Sequence, residues 1–329
     1  MRWLASCALA VLAVSAAASR GEEALSLVRS GLPHDALFDL AFGEASGMAV
    51  GHYGLFLLSE DGGASWQPIP PVSDAALLAL DATETRLVVV GQQGDIFSGS
   101  GAHDLSAVDS PTSERLLSVA VHESGLAVAV GGFGTVVISE DGGATWEARH
   151  PDWLALQPDG LEAHLYGVSI GEDGEILVCG EFAMILASND RGQTWHIRHQ
   201  GDASLFAMHI DSQGLGFAVG QEGAMLRTRD AGATWQPVAT GSRANLLDVW
   251  HSEEGEVVAI GIRALLRSLD EGQTWASLTG RAVERSWYAA LAPAAVKGDI
   301  ENGSLRTQRL YAAGERGNIV TVNVNTVNE

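Results

Sequence analysis

Positive charge is scarce in this chain of 329 residues, which has 19 Lys and Arg residues against 41 Asp and Glu residues and a net charge of −22. Nucleic-acid binding needs a basic footprint to neutralise phosphates, so this composition argues against a nucleic-acid partner. The imbalance is uneven: residues 19–190 hold 26 acids and 5 cations, whereas residues 191–329 hold 15 acids and 13 cations. We expect one strongly acidic side and one nearly neutral, Arg-rich side. One interpretation of this distribution is that the acids keep the protein soluble. The other is that the arginines form a patch that binds an acidic or carboxylate-bearing partner.

Cysteine is almost absent as well, with only Cys7 and Cys179. Cys7 lies inside an apolar N-terminal segment that we expect to be removed. Cys179 then has no disulfide partner, so the fold must be held by packing and ring closure. We interpret Cys179 as a buried, inert thiol, because a reactive one needs a polar, cationic setting.

The N-terminal segment has the composition of a signal peptide. Arg2 precedes an apolar run over residues 4–14, and small residues follow up to Ala18. This pattern predicts a signal peptide over residues 1–18 that is cleaved near Ala18, and a mature chain of residues 19–329 that is exported to a periplasm. The alternatives are an uncleaved anchor, for which the apolar run is short, and lipid attachment at Cys7.

Helical periodicity, long apolar runs and metal-ligand spacings are also missing. No ten-residue stretch after residue 25 has a 3.6-residue apolar period, and no later stretch could cross a membrane. None of the ten histidines forms a ligand pair of recognisable spacing. His196 and His199, for example, lie on a predicted strand and face opposite sides. We predict almost no helix, no metal and no cofactor.

What the chain does contain is one motif, Ser/Thr-x-Asp-x-Gly-x-Ser/Thr-Trp, repeated five times. Its Asp and Trp residues are Asp61 and Trp66, Asp141 and Trp146, Asp190 and Trp195, Asp230 and Trp235, and Asp270 and Trp275. The aspartates are 80, 49, 40 and 40 residues apart, which indicates a period of about 40 with one motif missing. A repeat of this length in a β-patterned chain is typical of a propeller.

Two weaker signals count the units. A short apolar stretch precedes a small-residue strand that ends in glycine, and these glycines are Gly51, Gly91, Gly131, Gly180, Gly220, Gly261 and Gly314. The seven glycines indicate seven units, of which the second and the seventh have lost the Asp motif. Each unit reads as four short strands between turn residues. The sequence therefore predicts an all-β, seven-bladed β-propeller in a single domain.

Ring closure needs one more strand, because the last unit ends without a Trp strand. Residues 25–31 resemble residues 235–241 in their spacing. We predict that this N-terminal segment is the outer strand of the last blade, which protects the ring from opening at a bare edge.

The Asp motif has a structural interpretation. Its Asp can accept hydrogen bonds from backbone amides of its own turn, and its Gly can adopt positive φ. Its Trp is expected to bury an indole between neighbouring sheets. Repetition also spreads the aspartates around the rim, where no single substrate could meet two of them. We predict that the five motifs stabilise the fold and are not catalytic.

The motif resembles the bacterial neuraminidase repeat, or Asp-box. The fuller pattern, a glycine-ended strand followed by this motif, is similar to the photosystem II assembly/stability factor family over residues 25–325. This resemblance implies a non-enzymatic scaffold that binds a membrane-protein client.

Propeller geometry predicts where a partner would bind. The loops after the seven glycines share one face and vary from blade to blade, whereas the Asp turns share the other face and barely vary; variable loops on a rigid scaffold usually carry binding. An insertion near residues 149–162 extends the same variable face, and its Trp either contacts a partner or folds back and is buried. The candidate partner-binding residues are His52, Tyr53, Gln92, Gln93, Phe133, Trp153, Glu181, Phe182, Gln221, Glu222, Arg243, Arg263, Glu315 and Arg316.

Within this set we expect Arg243, Arg263 and Arg316 to be ionic anchors, and the aromatic residues to be apolar anchors. The prediction is a monomeric, exported scaffold that binds a protein of an envelope or membrane complex. The alternative is a glycan-binding or sialidase-like hydrolase propeller, since sialidases share the Asp motif. A sialidase needs three arginines on the substrate carboxylate, and the N-terminal blades contain few arginines.

Overall fold

The computed structural model describes residues 23–43, 46–295, 300–301, 304–305 and 308–323. It confirms the predicted all-β, seven-bladed propeller: seven antiparallel sheets of four strands surround one axis. The first strands of neighbouring blades contact one another all the way round the ring, so they are the innermost strands. The predicted signal peptide and Cys7 lie outside the described residues.

The strands of blades 1 to 4 follow chain order from the axis outwards. Blade 1 consists of β2–β5, at Leu37–Phe42, Gly47–Gly51, Phe56–Ser59 and Gln67–Pro68. Blade 2 consists of β6–β9, at Leu77–Ala82, Leu87–Gly91, Ile96–Gly99 and Ser106–Val108. Blade 3 consists of β10–β13, at Leu116–Val121, Ala127–Gly131, Val136–Ser139 and Glu147–Ala148. Blade 4 consists of β14–β17, at Leu165–Ile170, Ile176–Gly180, Ile185–Ser188 and His196–His199.

Blades 5 and 6 repeat this order. Blade 5 consists of β18–β21, at Leu205–Ile210, Gly216–Gly220, Met225–Thr228 and Gln236–Pro237. Blade 6 consists of β22–β25, at Leu246–His251, Val257–Gly261, Ala264–Ser268 and Ala276–Ser277. Blade 7 contains β26, β29 and β30, at Tyr288–Ala295, Gln308–Gly314 and Ile319–Val322, and a small hairpin separates its first two strands, with β27 at Ile300–Glu301 and β28 at Ser304–Leu305.

The second strand of each blade forms the core. In blades 1 to 6 all five residues of this strand are buried, because both faces of the sheet pack against neighbouring blades. This explains why these strands are continuous apolar runs without alternation. The outermost strands are short and mostly exposed.

The N-terminal strand closes the ring, as predicted. Strand β1, Leu25–Arg29, pairs antiparallel with β30 and completes blade 7 in the order β1-β30-β29-β26. The side-chain amide of Asn323 donates to the backbone oxygen of Glu23 over 2.6 Å, which ties the two ends of the chain together. The inner strand of blade 7 begins at Tyr288, which pairs with Gly314 as Leu37 pairs with Gly51, one residue later than the apolar stretch in the sequence suggests.

The five Asp motifs form turns between the third and fourth strands, as predicted. In blade 3 the carboxylate of Asp141 accepts the backbone N–H of Thr145 at 2.9 Å and its hydroxyl at 2.6 Å. These hydrogen bonds, with the one from the Ser139 hydroxyl, lower the pKa of Asp141 to about 2. The indole of Trp146 donates to the oxygen of Gly143 at 3.1 Å and is 7 % exposed. The motif is thus a self-satisfied turn that presents a buried indole.

The described chain has two short α-helices, α1 at Trp153–Leu156 and α2 at Arg281–Arg285, besides single 3-10 turns after the second strands of blades 1 to 5. Both belong to connections between blades, from blade 3 to blade 4 and from blade 6 to blade 7. Neither these nor any other helix in the described ranges is long and apolar enough to span a membrane.

Ring closure can be tested with two leucines on β1. Leu25 is 2 % exposed in the core of blade 7, whereas Leu27 is 64 % exposed. We expect Leu25→Ala to lower the free energy of unfolding by about 2–5 kcal/mol, because it leaves a cavity at the closing strand. Leu27→Ala, the matched control, should change it by less than about 0.5 kcal/mol. Guanidinium denaturation of both variants checks this, and equal effects would argue against closure by β1.

Candidate functional site

The two faces of the ring differ as predicted. After each glycine-ended strand, the next backbone N–H donates to a carbonyl of the connection that enters the same blade, as from His52 to Ala36 at 2.9 Å and from Glu315 to Trp287 at 3.0 Å. The same bond recurs in all seven blades. These turns and the connections between blades therefore share one face, here called the loop face. The Asp motifs lie on the opposite face, here called the Asp-box face.

The glycine that ends each second strand is required by this contact. A Cβ at Gly51 would lie 1.9 Å from the oxygen of Ala36, and one at Gly131 would lie 1.9 Å from the oxygen of Arg115. The backbone at Gly51 is extended, with φ of −169°, so close approach rather than positive φ excludes a side chain. The regular glycines seen in the sequence thus mark where each turn docks onto the loop face.

One residue in every turn adopts a left-handed backbone conformation without being glycine. Its φ lies between 51° and 63° in all seven blades, a region that costs energy for residues with a side chain. Every blade therefore holds one side chain projecting from the same place on the loop face. We call this set the turn ring, and in blade order it consists of Tyr53, Gln93, Phe133, Phe182, Glu222, Arg263 and Arg316.

The turn ring is divided into sectors. Tyr53 and Phe133 are 71 % and 57 % exposed, and Phe182 is half-buried against the core of blades 3 and 4. Arg263 and Arg316 are exposed in the adjacent blades 6 and 7. The ring thus presents aromatic surface in blades 1, 3 and 4 and cationic surface in blades 6 and 7.

The other predicted residues of the loop face surround the turn ring. His52 stacks on the ring of Tyr53, with centroids 3.9 Å apart. Glu181 accepts the backbone N–H of His164 at 2.9 Å, so it supports the loop. Gln92 and Gln221 are exposed. Glu315 lies 3.7 Å from the guanidinium of Arg316 and partly offsets that charge.

The arginine sector is larger than predicted. Exposed Arg243 enters the loop face on the connection to blade 6 and has no ion pair in the described part of the chain. Helix α2 brings Arg281 and Arg285, both exposed, into the connection to blade 7. The N–H of Arg263 donates to the oxygen of Ser286 at 3.0 Å, which fixes that connection beside the turn ring. Sequence reasoning missed Arg281 and Arg285 because their connection carries no repeat signal.

A second missed feature is a set of half-buried apolar side chains next to the axis. They occupy the second position of the inner strands, and they include Phe38, Leu78, Leu117, Tyr166, Phe206 and Leu247. Phe38 stacks on Trp287 at 6.4 Å, and Tyr166 packs edge-on against Phe206 at 5.4 Å. The sequence shows these residues as part of the apolar stretches, but only closure of the ring brings them together.

The prediction that Trp153 contacts a partner is wrong. Trp153 is 6 % exposed and belongs to the core of blades 3 and 4. Helix α1 folds back over the turn of blade 3, where the indole nitrogen would lie 2.3 Å from a Cβ at Gly134. The insertion instead exposes Leu154, which is 77 % accessible. Burial of the large indole is favourable because the turn glycine leaves a slot for it.

The buried thiol was predicted correctly. Cys179 is fully buried in the second strand of blade 4, and burial raises the pKa of its thiol to about 12. No group of three or more His, Cys, Asp or Glu side chains in the described residues is arranged to hold a metal ion.

Three carboxylates link inner strands around the axis. Asp39 of blade 1 accepts the N–H of Leu80 in blade 2 at 2.9 Å, and Asp248 of blade 6 accepts the N–H of Leu291 in blade 7 at 2.6 Å. Asp81 makes the same kind of bond to Val121 of blade 3 at 2.7 Å. Burial raises the pKa of Asp39 and Asp248 to about 7 and that of Asp81 to about 6. These groups clamp neighbouring blades.

The Trp153 correction can be tested directly. We expect Trp153→Ala to lower the free energy of unfolding by about 3–5 kcal/mol, because it empties a packed slot. Leu154→Ala, next in the same helix but exposed, should change it by less than about 0.5 kcal/mol. Chemical denaturation measures both, and a near-neutral Trp153→Ala would restore the surface interpretation.

The axial carboxylates predict a pH dependence of stability. The pKa of Asp39 is higher in the folded protein than in the unfolded chain, so the folded state binds the proton more tightly and stability falls as pH rises through 7. Between pH 6.5 and 8.5 the wild type should lose about 1 kcal/mol of unfolding free energy relative to Asp39→Asn. Exposed Asp109→Asn should follow the wild type. Denaturation at several pH values checks this, and parallel profiles for wild type and Asp39→Asn would contradict it.

Comparison with known proteins supports the resemblance seen in the sequence. Residues 98–201, which span the end of blade 2 and all of blades 3 and 4, match the family model of the photosynthesis system II assembly factor YCF48. A search among curated proteins finds no matching sequence.

Solved structures show the same fold. A structure of YCF48 bound to a D1 peptide has a TM-score of 0.68 and 17 % identity, with 93 % of this chain and 98 % of that chain covered. YCF48 from Cyanidioschyzon merolae has a TM-score of 0.70 and 19 % identity, with 92 % and 100 % covered. A GH74 xyloglucanase from Xanthomonas campestris has a TM-score of 0.69 and 16 % identity, but this chain covers only 54 % of it. The predicted resemblance is confirmed over residues 98–201, and the solved structures show that the whole described chain shares the β-propeller fold of these proteins.

Proposed function

We propose that this protein is a non-enzymatic scaffold that binds a polypeptide of a membrane or envelope complex on its loop face and assists assembly of that complex. The turn ring carries the proposal. Seven equivalent positions all hold a strained, non-glycine residue whose side chain projects from one face. Glycine would adopt this conformation without strain at each position. The presence of a larger residue in all seven blades therefore indicates that the side chain itself has a role.

The chemistry of the face indicates the kind of segment that binds. Arg263, Arg316 and Arg243 present planar donors suited to a carboxylate, either an acidic side chain or a chain terminus. Tyr53 and Phe133 offer exposed aromatic surface, and aromatic and Arg side chains dominate protein interfaces. An extended segment with apolar side chains and a carboxylate would match both sectors.

The comparisons support a polypeptide partner. One solved relative by fold, YCF48, is bound to a D1 peptide, and the family model of that assembly factor matches the central blades of this chain. The partner of this protein is therefore proposed to be a segment of a membrane protein. The signal-peptide composition of residues 1–18 supports export of this scaffold to the membrane surface, in a periplasm, where we propose that it acts as a monomer.

Hydrolysis of a glycan is the alternative, and its support is the fold shared with the GH74 xyloglucanase. The three most enclosed carboxylates of the axis, Asp39, Asp81 and Asp248, are each engaged by backbone N–H groups of the neighbouring blade. They are committed to holding the ring, which favours the scaffold over the enzyme.

Binding can be measured with a synthetic D1 peptide by fluorescence anisotropy. We expect the double variant Arg263→Glu and Arg316→Glu to weaken binding at least about tenfold, because two favourable charges become repulsive and lose their hydrogen bonds. The matched control is Arg229→Glu with Arg309→Glu. Both of those arginines are exposed on the Asp-box side, and the control makes the same change in net charge.

Crosslinking of the tagged mature protein in envelope extract extends this test to the natural client. The wild type and the control should enrich one membrane complex that the loop-face variant does not. Unchanged affinity in the loop-face variant would show that the proposed face is wrong. Release of sugar from xyloglucan or sialosides would favour the hydrolase.

A further inference from the structure

The junctions between blades are closed in a uniform way wherever the Asp motif is present. The motif of each blade sets its Trp against the preceding blade: a Cβ at Gly143 of blade 3 would meet Val88 of blade 2 at 2.9 Å, and one at Gly232 of blade 5 would meet Leu177 of blade 4 at 2.4 Å. The tryptophans of blades 1, 3, 4 and 5 are 6–8 % exposed. An indole is therefore buried in each of these junctions, on the side of the Asp-box face.

Two blades have lost that Trp, and strand register shows what replaces it. In blade 1 Trp66 precedes the residue that pairs with Leu58. The corresponding residues are Leu25 in blade 7 and Leu105 in blade 2. Both junctions thus have a leucine where the others have an indole.

Only one of these two junctions receives an indole from another position. Between blades 6 and 7, Trp250 on the inner strand of blade 6 packs with Leu25 and Val258. The corresponding residue in blade 1 is Ala41, which pairs with Met48 as Trp250 pairs with Val258. The junction between blades 1 and 2 therefore has neither indole.

A cavity of about 720 Å³ opens at that junction. Its apolar wall is formed by Met48, Leu58, Leu87 and Ala102. Met48 is the counterpart of Val88, which underlies the Asp turn of the next blade. The cavity thus includes the place where a motif indole would sit, and its size is in the range of small-ligand pockets.

The turn that borders the cavity is ordered in its own way. Asp104 accepts the hydroxyl of Ser100 at 2.6 Å and the N–H of Gly101 at 2.8 Å. The chain that would otherwise carry the Asp motif is thereby held as a compact turn. Because these hydrogen bonds hold the turn in place, it stays at the edge of the cavity and does not fill it.

The mouth of the cavity is acidic. Glu60, Glu84 and Glu123 line it, together with Arg86 and His103. The guanidinium of Arg86 is directed towards blade 3, where its Nε would lie 2.9 Å from a Cβ at Gly142. The apolar wall is thus surrounded by negative charge, which favours a cationic ligand.

We propose that this cavity receives an aromatic side chain of a partner polypeptide flanked by basic residues. The aromatic ring takes the place that the indole of the repeat holds in the other junctions, and the basic residues pair with the three glutamates. The site lies on the Asp-box face, away from the turn ring. It does not depend on the partner proposed for the loop face.

The test uses three acetylated, amidated tripeptides, Lys-Trp-Lys, Glu-Trp-Glu and Lys-Ala-Lys, titrated into the mature protein by calorimetry at low salt. We expect Lys-Trp-Lys to bind at least about tenfold more tightly than either of the others, because it alone supplies both the ring and the charge. Its affinity should fall as salt is raised, since the glutamates are exposed.

Two variants place an indole at this junction, each at a residue packed against the core of blades 1 and 2. Leu105→Trp restores the residue of the repeat, and Ala41→Trp copies the arrangement of Trp250. Each should raise the thermal midpoint and weaken Lys-Trp-Lys at least about tenfold. Leu27→Trp, on an exposed position of β1, is the control and should bind like the wild type. If one filling variant does not fold, the other makes the same measurement.

Charge is tested separately with Glu60→Gln and Glu84→Gln in one protein. This variant should weaken Lys-Trp-Lys about threefold or more, whereas Glu253→Gln with Glu254→Gln, an exposed pair in blade 6, should not. The proposal is overturned if no peptide binds at millimolar concentration, if Lys-Trp-Lys and Glu-Trp-Glu bind equally, or if both filling variants bind as the wild type does.

Discussion

The packing of one blade against the next is the interaction on which the rest of this molecule depends. Each second strand is buried on both faces because a sheet stands on either side of it, and no blade could bury its apolar residues alone. The Asp motif serves this packing directly. A carboxylate satisfies the turn, glycine allows the tight backbone, and the turn delivers an indole into the junction. The axial aspartates add a second set of contacts between neighbouring blades, near the centre of the ring.

This division of labour separates the two faces. On the Asp-box face, five turns share the same hydrogen bonds and the same buried indole because each packs against the neighbouring blade. Their residues therefore serve stability. On the loop face the turn backbone is equally regular, since every turn donates to the connection that enters its blade. The side chain at its left-handed position is unconstrained by that packing, and it differs between blades. A rigid ring of seven such positions lets aromatic and cationic sectors be displayed in a fixed geometry.

The exceptions to the repeat are informative for the same reason. Loss of the motif at blade 7 is compensated by Trp250 and by the N-terminal strand, which together rebuild the junction. At blade 2 the neighbouring residue is Ala41, and a cavity bordered by glutamates results. A repeat protein can thus acquire a recess by omitting one side chain, while the surrounding junctions keep the ring closed.

Much of the architecture was predictable from the sequence because the repeat encodes local chemistry. The spacing of the motifs gave the blade count, the glycines marked where turns dock, and the match between residues 25–31 and a Trp-containing strand predicted ring closure. The seven turn-ring residues lie on one face, as the repeat predicts, and their role in binding stays a prediction. The interpretation of Trp153 was wrong because its insertion has no equivalent in the other blades. Without an equivalent position, the sequence could not show whether the indole faces solvent or packs against the turn of blade 3.

What the sequence by itself determined is the identity and order of the turns, since each depends on residues within about ten positions of one another. What only the tertiary structure decided is which of them meet across blades. Examples are the packing of Leu25 in the core of blade 7, the arginines of α2 beside Arg263, the aromatic residues around the axis and the cavity between blades 1 and 2, all of which join residues far apart in the chain. Their contacts follow from closing the ring, a global constraint that no local pattern records.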